Sequence, residues 1–377
     1  MKNLNYNNLE KNMKKNDFLN SQRLDIYNNF LKFGLPNKRI ENWKYFDLKS
    51  NSRNFLEKEV KDASILIKDL ENNKNKFYDL ESENTSPEIF FKLNKFIKNE
   101  SVIDLNLACA SQLKVLDIKS TQKKPISVII KCEKEHIYLP RIQINLADGV
   151  NAKIFLKNLS SKGFTNLLIE YSLGKGSNLE LSRLNQSESL LVESNIIYLK
   201  ENSNFNLVNL SIPKGLSRFQ AFSNHIGKNS FCSSNTISIP QYNSYDDILV
   251  DNVLKKSNCE SNSGIRAIVD NKSTCSFQSL IDVEDSVIGS KAEQDCKAFL
   301  LSENSVMNAL PKMKIYNDNV VCKHGATVGS LDKQEIFYLC SRGVSEKKAI
   351  SLLLEGHINS YIDKDSILRK YLPSDFR

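Results

Sequence analysis

The chain has 377 residues, 40% hydrophobic and 25% charged, with 52 Lys and Arg against 44 Asp and Glu for a formal charge of +8. A chain of this length buries a sizeable core. Its positive excess is scattered in short pairs such as Lys123-Lys124 and Lys255-Lys256, which argues against nucleic acid, where a concentrated basic stripe is expected.

The opening segment MKNLNYNNLEKNMKKNDF lacks the apolar core of a signal peptide. No stretch approaches the ~20 apolar residues that span a bilayer, so a cytoplasmic protein without membrane contact is expected. Residues 17–33 predict an amphipathic helix with Leu24, Tyr27 and Leu31 on its apolar side, widened by Ile26, Phe30 and Phe33. Gly34 and Pro36 stop it. Residues 37–50 carry Trp43, the one tryptophan. Residues 50–88 are polar apart from Ile65-Leu66-Ile67 and read as a loosely ordered connection. Ile89–Ile97 reads as a short helix.

From about Ser101 the apolar residues fall into short runs of period two, as in Ile126-Val128-Ile130 and Ile142-Ile144-Leu146, which predicts strands. Similar polar turns recur at Gly149-Val150-Asn151, Gly176-Ser177-Asn178, Asn202-Ser203-Asn204, Lys228-Asn229-Ser230, Lys256-Ser257-Asn258, Lys272-Ser273-Thr274 and Gly289-Ser290-Lys291. They advance by about 26–28 residues and later by about 16–17, a weak repeat of the solenoid kind. Pattern alone leaves a β-solenoid and a sandwich or barrel both open. A solenoid needs covered ends, and the flanking helical segments are candidate caps. Near the C-terminus, Asp332 caps a helix containing Ile336, Phe337 and Leu339 that stops at Gly343. Ser345 opens a second helix ending at Gly356, and a last helix is expected over about 357–371.

Cys322 and His324 stand two apart on a predicted strand and so share a face. A thiolate and an imidazole placed this way can share a soft metal or pass sulfur or a proton. Two donors do not close a metal site, so others must come from elsewhere. The remaining histidines read as solvated (His136) or as packing residues (His225, His357). None of the eight cysteines forms a C-x-x-C pair, and all are expected as free thiols. There is no G-x-S-x-G, H-E-x-x-H or G-x-x-x-x-G-K-[ST]. Gly174-Lys175-Gly176-Ser177 reads as a turn. Asp246, Asp247 and Asp251 suggest polysaccharide-cleaving acids, but adjacent strand residues face opposite ways and the first two cannot share a cleft.

The C-terminal residues resemble the SufB/SufD family, scaffold subunits of a bacterial and plastid iron–sulfur cluster assembly system. The matching positions are Pro311, Asp318, Val320, Cys322, His324-Gly325-Ala326-Thr327-Val328-Gly329, Leu331-Asp332, Phe337-Tyr338-Leu339, Ser341-Arg342-Gly343 and Ala349. Near the other end, Gly34-Leu35-Pro36, Glu41, Trp43-Lys44-Tyr45 and Leu48 resemble the family's G-x-P…E-x-W-K-Y-x-x-L element. Within the family the chain resembles the SufD branch, because Ile315 and Gly325 stand where SufB carries a reactive cysteine and a glutamate. The β region departs from the family in its richness in Asn and Ser, and Ala292-Glu293-Gln294 matches only in part.

The resemblance implies a right-handed parallel β-helix over 101–330, between a helical region with a polar connection at 1–100 and a C-terminal helical domain at 331–377. It implies a non-catalytic scaffold that pairs with a SufB-like subunit along the β-helix edge. A SufC-like ATPase would dock on the C-terminal helices around Phe337, Tyr338, Arg342 and Gly343. His324, with Cys322 as a second contributor, would handle sulfur or cluster at the partner interface, and His324 would be a metal ligand shared with the partner. It implies no cofactor held alone, a transient cluster, ATP on the ATPase and reduced flavin in the complex; a homodimer is compatible with it when the partner is absent. The rival readings are a SufB-like cluster-building subunit and a β-solenoid carbohydrate-active enzyme.

Overall fold

A computed structural model describes residues 6–14, 20–79, 100–110 and 113–374. The N-terminal region contains α1 (Asn7–Lys14), α2 (Asn20–Phe33), a 3-10 turn at Glu41–Trp43, α3 (Leu48–Asn51) and α4 (Ser101–Cys109). Between them lie β1 (Val60–Lys61), β2 (Ser64–Lys68) and β3 (Lys76–Asp79). The predicted helix at Ile89–Ile97 lies outside the described residues.

The main body begins with β4 (Lys114–Ile118), β5 (Ile126–Cys132), β6 (Ile137–Tyr138), β7 (Arg141–Leu146) and β8 (Asn151–Ser160). It continues through β9 (Phe164–Leu173), β10 (Asn178–Asn185), β11 (Leu190–Leu199), β12 (Asn204–Ser211), β13 (Leu216–His225) and β14 (Phe231–Ser238). It closes with β15 (Tyr245–Leu254), β16 (Glu260–Val269), β17 (Thr274–Val283), β18 (Lys291–Leu300), β19 (Val306–Ile315) and β20 (Val321–Gly329). Then come α5 (Lys333–Ser341), α6 (Glu346–Asn359) and a 3-10 turn at Ile367–Tyr371.

From β7 onward, odd-numbered strands stack into one parallel sheet and, from β8, even-numbered strands into another, so the chain winds as a parallel β-solenoid. Asn151, Asn178 and Asn204 lie in register on successive even strands. Hydrogen-bonded residues in neighbouring coils lie 26 apart early in the solenoid and 31 apart later. The shorter spacing seen late in the sequence arises because turns at both ends of a coil look alike.

One corner accounts for three of the asparagines, Asn202, Asn229 and Asn258. Gly149, Gly176, Asn202, Asn229, Asn258 and Gly289 all have φ between +55° and +69°. Asn is the residue after Gly that best accepts this left-handed conformation. Each of these N–H groups donates to a carbonyl one coil further on, from Gly149 to Lys175 through to Gly289 to Asn319, which forms a ladder along the corner.

The interior holds a large apolar cluster that includes Ile126, Ile154, Leu181, Leu207, Phe219, Phe277 and Cys296. The helices do not cap the ends. The N-terminal helices lie on the outer face of the odd sheet, where Trp43, Phe46, Leu105 and Leu107 pack with Leu168, Val192, Ile196 and Leu249. Helix α6 and the C-terminal turn lie on the outer face of the even sheet, where Leu354, Ile358 and Leu372 pack with Phe155, Leu210 and Ile237. The N-terminal end of the stack is covered instead by β2 and β3, which pair antiparallel with β5 and β4. Residues 60–79, expected as a loose connection, therefore form ordered end strands. At the other end β19 and β20 terminate their sheets, with no strand beyond them among the described residues.

Helix α2 keeps its predicted span over the described residues but buries a narrower face. Tyr27 and Phe30 are buried, while Leu24, Leu31 and Phe33 are exposed. Ser101–Cys109, where strands were expected to begin, is a helix. Helix α6 runs through Gly356 and His357 to Asn359 rather than stopping at Gly356.

Candidate functional site at the open end

Strand β18 sets the orientation of β20. Ala292, Gln294, Cys296 and Ala298 are buried, in alternation with more exposed neighbours. Cys296 and Ala298 belong to the interior cluster, so this phase points inward. In parallel register Cys322 stands over Ala292, His324 over Gln294, Ala326 over Cys296 and Val328 over Ala298. In-register neighbours share a face, so Cys322 and His324 face the solenoid interior where no further coil covers it. His324 is exposed and Cys322 half-buried. Cys322 also packs against the small cluster of Leu254, Ile281 and Val283. Partial burial pushes its thiol above the ordinary value, partly offset by a hydrogen bond to the Ala292 backbone.

Exposed apolar side chains surround this end: Val306, Ile315 and Tyr316 on and after β19, and Val321 and Val328 on β20. Together with two unpaired strand edges this is a surface built for strand pairing or a covering partner. Pro311 sits mid-strand in β19, a place Pro occupies because that strand is an edge. Among the described residues no group of three or more His, Cys, Asp or Glu is placed to hold a metal ion. Two donors on β20 do not by themselves close a site for a soft metal or sulfur species.

Helix α5 begins as the sequence predicts: the Asp332 carboxylate accepts from the Gln334 N–H at 2.7 Å. It ends at Gly343, with φ of +85°. Phe337 and Tyr338 are 74% and 59% exposed, high values for large side chains. The Arg342 guanidinium lies 5.4 Å from the Tyr338 ring. A cleft of about 520 Å³ between α5 and the solenoid is lined by Leu301, Leu331, Ile336, Phe337 and Cys340.

The other candidates do not form a site. Asp246 and Asp247 face opposite ways: Asp246 accepts from Ser238 Oγ at 2.6 Å, whereas Asp247 pairs with Arg218. His225 is buried, with Nδ1 2.8 Å from Ser230 Oγ, and burial lowers its pKa to about 4. His357 packs against Phe299 with ring centres 4.6 Å apart. His136 is half-buried near the Tyr138 ring. Gly174–Ser177 is a turn between β9 and β10.

Several buried arginines escaped sequence reasoning. Arg183 forms a two-pronged bond to Glu193 inside the solenoid, both contacts at 2.7 Å. Arg218, wholly buried, holds the tryptophan-bearing turn on the odd sheet. Its guanidinium lies 3.9 Å from the Trp43 ring centre, donates to the Asn42 carbonyl at 2.7 Å and pairs with Asp247. Arg266 ties the C-terminal segment to the even sheet through Tyr361, Ser360 and Asp295. A signal was available for Arg183, which follows Leu179 and Leu181 in its strand phase, whereas Arg218 and Arg266 share theirs with polar residues such as Gln220 and Asn262.

Residues 128–357 match the family described as "SUF system FeS cluster assembly, SufBD core domain". The chain is 24% identical to the iron-sulfur cluster assembly protein SufD of Escherichia coli over 356 residues, covering 86% of this chain and 84% of that protein. It is 20% identical over 222 residues to an iron-sulfur cluster assembly SufBD family protein of Staphylococcus epidermidis, covering 58% and 46%. A family member from Synechocystis is 32% identical over 99 residues, 26% of this chain and 22% of that one. The matched segment runs from β5 into α6 and so contains most of the solenoid, its open end and α5. The chain belongs to the SufBD family of the SUF iron–sulfur cluster assembly system, and within it is most like SufD.

Proposed function

We propose that the chain is a non-catalytic scaffold subunit that pairs with a SufB-like subunit through the open edges of β19 and β20. The observation that carries this is the position of His324, exposed on the terminal strand among uncovered apolar side chains. An imidazole there has too few companions to hold a cluster alone and enough access to act with a second chain's donors. His324, with Cys322 beside it, meets the partner's thiolate where sulfur and iron are assembled; the cluster is cargo, with His324 a shared ligand. Ile315 and Gly325 support a SufD-like division of labour, and burial of Asp246 and Asp247 on opposite faces tells against a carbohydrate-cleaving site. A SufC-like ATPase docks on α5 through Phe337, Tyr338 and Arg342, with Gly343 setting the turn. ATP is bound by that subunit, and reduced flavin is used by the complex as a whole.

Co-expression of this chain with SufB- and SufC-like subunits tests the reading. His324→Ala leaves the complex intact and lowers the clusters it yields; undiminished yield refutes the role. Phe337→Ser with Tyr338→Ser abolishes co-purification of the ATPase without unfolding the chain, since both side chains are exposed. Retained binding refutes the docking site.

A further inference from the structure

The interior stack beneath His324 changes character along the solenoid. From β5 the in-register positions are Ile126, Ile154, Leu181, Leu207, Ser234, Ser263, Gln294 and His324. Apolar side chains give way to two serines, then an amide, then the imidazole. The stacks on either side do not end this way: Cys322 stands over Ala292 and Ala326 over Cys296.

Gln294 is 1% exposed. Its Nε2 donates to the Lys312 carbonyl on β19 at 3.1 Å. A carbonyl accepts only, so this bond fixes which end of the amide is oxygen. That oxygen, Oε1, is buried and has no hydrogen-bond partner. A buried amide oxygen left unpaired costs free energy, and the group it lacks is a donor. His324 is its in-register neighbour on the same face, one strand spacing of about 4.8 Å away.

The geometry points to Gln294 as the positioning residue for His324: its Oε1 accepts the N–H of one ring nitrogen and so fixes the imidazole's tautomer. The other ring nitrogen then keeps its lone pair and is turned toward the open end, ready to act as ligand or base. Through Lys312 the same amide ties the ring to β19, so both edge strands share in orienting it. This rests on the reading of His324 as the contact residue, but it concerns a property of the chain by itself.

The test is a long-range proton–nitrogen NMR spectrum of the full chain labelled at histidine, at a pH where the rings are neutral. The four histidine rings are distinguished by the signal lost in His324→Asn. Wild-type His324 shows one dominant tautomer; an averaged pattern overturns the inference without recourse to any variant. Gln294→Met releases the ring to the averaged pattern. Gln294→Glu, which keeps an acceptor oxygen but loses the bond to Lys312, retains the single tautomer. If Gln294 merely braced β19, Met and Glu would behave alike, and that result overturns the proposal. Normal cluster yield from His324→Ala, with the tautomer still set by Gln294, would remove the functional reading and leave the positioning intact.

Discussion

Replacing Arg218 with methionine is expected to release the N-terminal turn before the solenoid unfolds. The arginine and Asp247 are both fully buried. Removing one member of a buried pair strands the other charge and costs ~3–5 kcal/mol. The stacking on Trp43 adds about 2 kcal/mol for a desolvated cation over indole. These terms share one side chain and do not add fully, so the expected loss is about 4 kcal/mol. The Asn42 carbonyl is not orphaned, because Gln278 Nε2 also donates to it at 3.1 Å. The chain's single tryptophan lies in this latch, so its fluorescence reports latch release while far-ultraviolet circular dichroism reports the solenoid. In guanidinium titrations of the wild type the two signals coincide; in Arg218→Met the fluorescence transition moves to lower denaturant and separates from the other. Arg218→Met with Asp247→Leu removes both charges and recovers most of the loss. A single substitution costing under about 1 kcal/mol, or a double no better than the single, refutes the account.

Other outcomes follow from burial and backbone geometry. Burial, with Glu100 nearby, raises the Asp251 pKa to about 7, so the folded state holds a proton the unfolded state has released near its ordinary value. Stability is therefore lost as pH rises from about 4 to 7, and Asp251→Asn shows a flatter melting profile and a higher Tm at pH 8 than the wild type; an unchanged difference across that range argues against it. His225, neutral in the fold with a pKa of about 4, acts in the opposite sense: its contribution is complete above about 6.5 and lost on acidification toward 4, which His225→Gln removes. A Cβ on Gly264 would collide with the Tyr361 hydroxyl end, so Gly264→Val displaces the C-terminal segment from the even sheet and exposes it to limited proteolysis. Asn229→Ala places an alanine at φ of +56° and costs ~1–2 kcal/mol in denaturant unfolding, whereas Asn229→Gly costs less.

Repeating corners and alternating strands made short stacked or sandwiched strands legible, the resemblance of the terminal motifs decided for the solenoid, and α5 was legible because Asp332 and Gly343 mark its ends. The position of the helices was not anticipated. Its signal lay in strands such as β9 and β11, where Leu167-Leu168-Ile169 and Ile196-Ile197 break the alternation and show that both faces are covered. Residues 60–79 read as loose because an end strand buries only one face: Ile65 and Ile67 point in while Leu66 is exposed. Gly356 read as a stop because helical glycine is unfavourable, yet it lies with nothing within 4 Å and costs only about 1 kcal/mol there. At the site, the spacing of Cys322 and His324 fixed their shared face, but only strand register could place Gln294 beneath the imidazole. The sequence hint was a polar residue in the phase of Ala292, Cys296 and Ala298.

The corner ladder has a consequence for how such chains change length. Each rung joins a left-handed residue to the next winding alone, so a whole extra winding can be spliced in and both neighbours keep their bonds. A partial insertion would shift the inward residues to the outside and sever the ladder. Natural variation in this body should come in complete windings, with shorter gains and losses confined to the loops between strands.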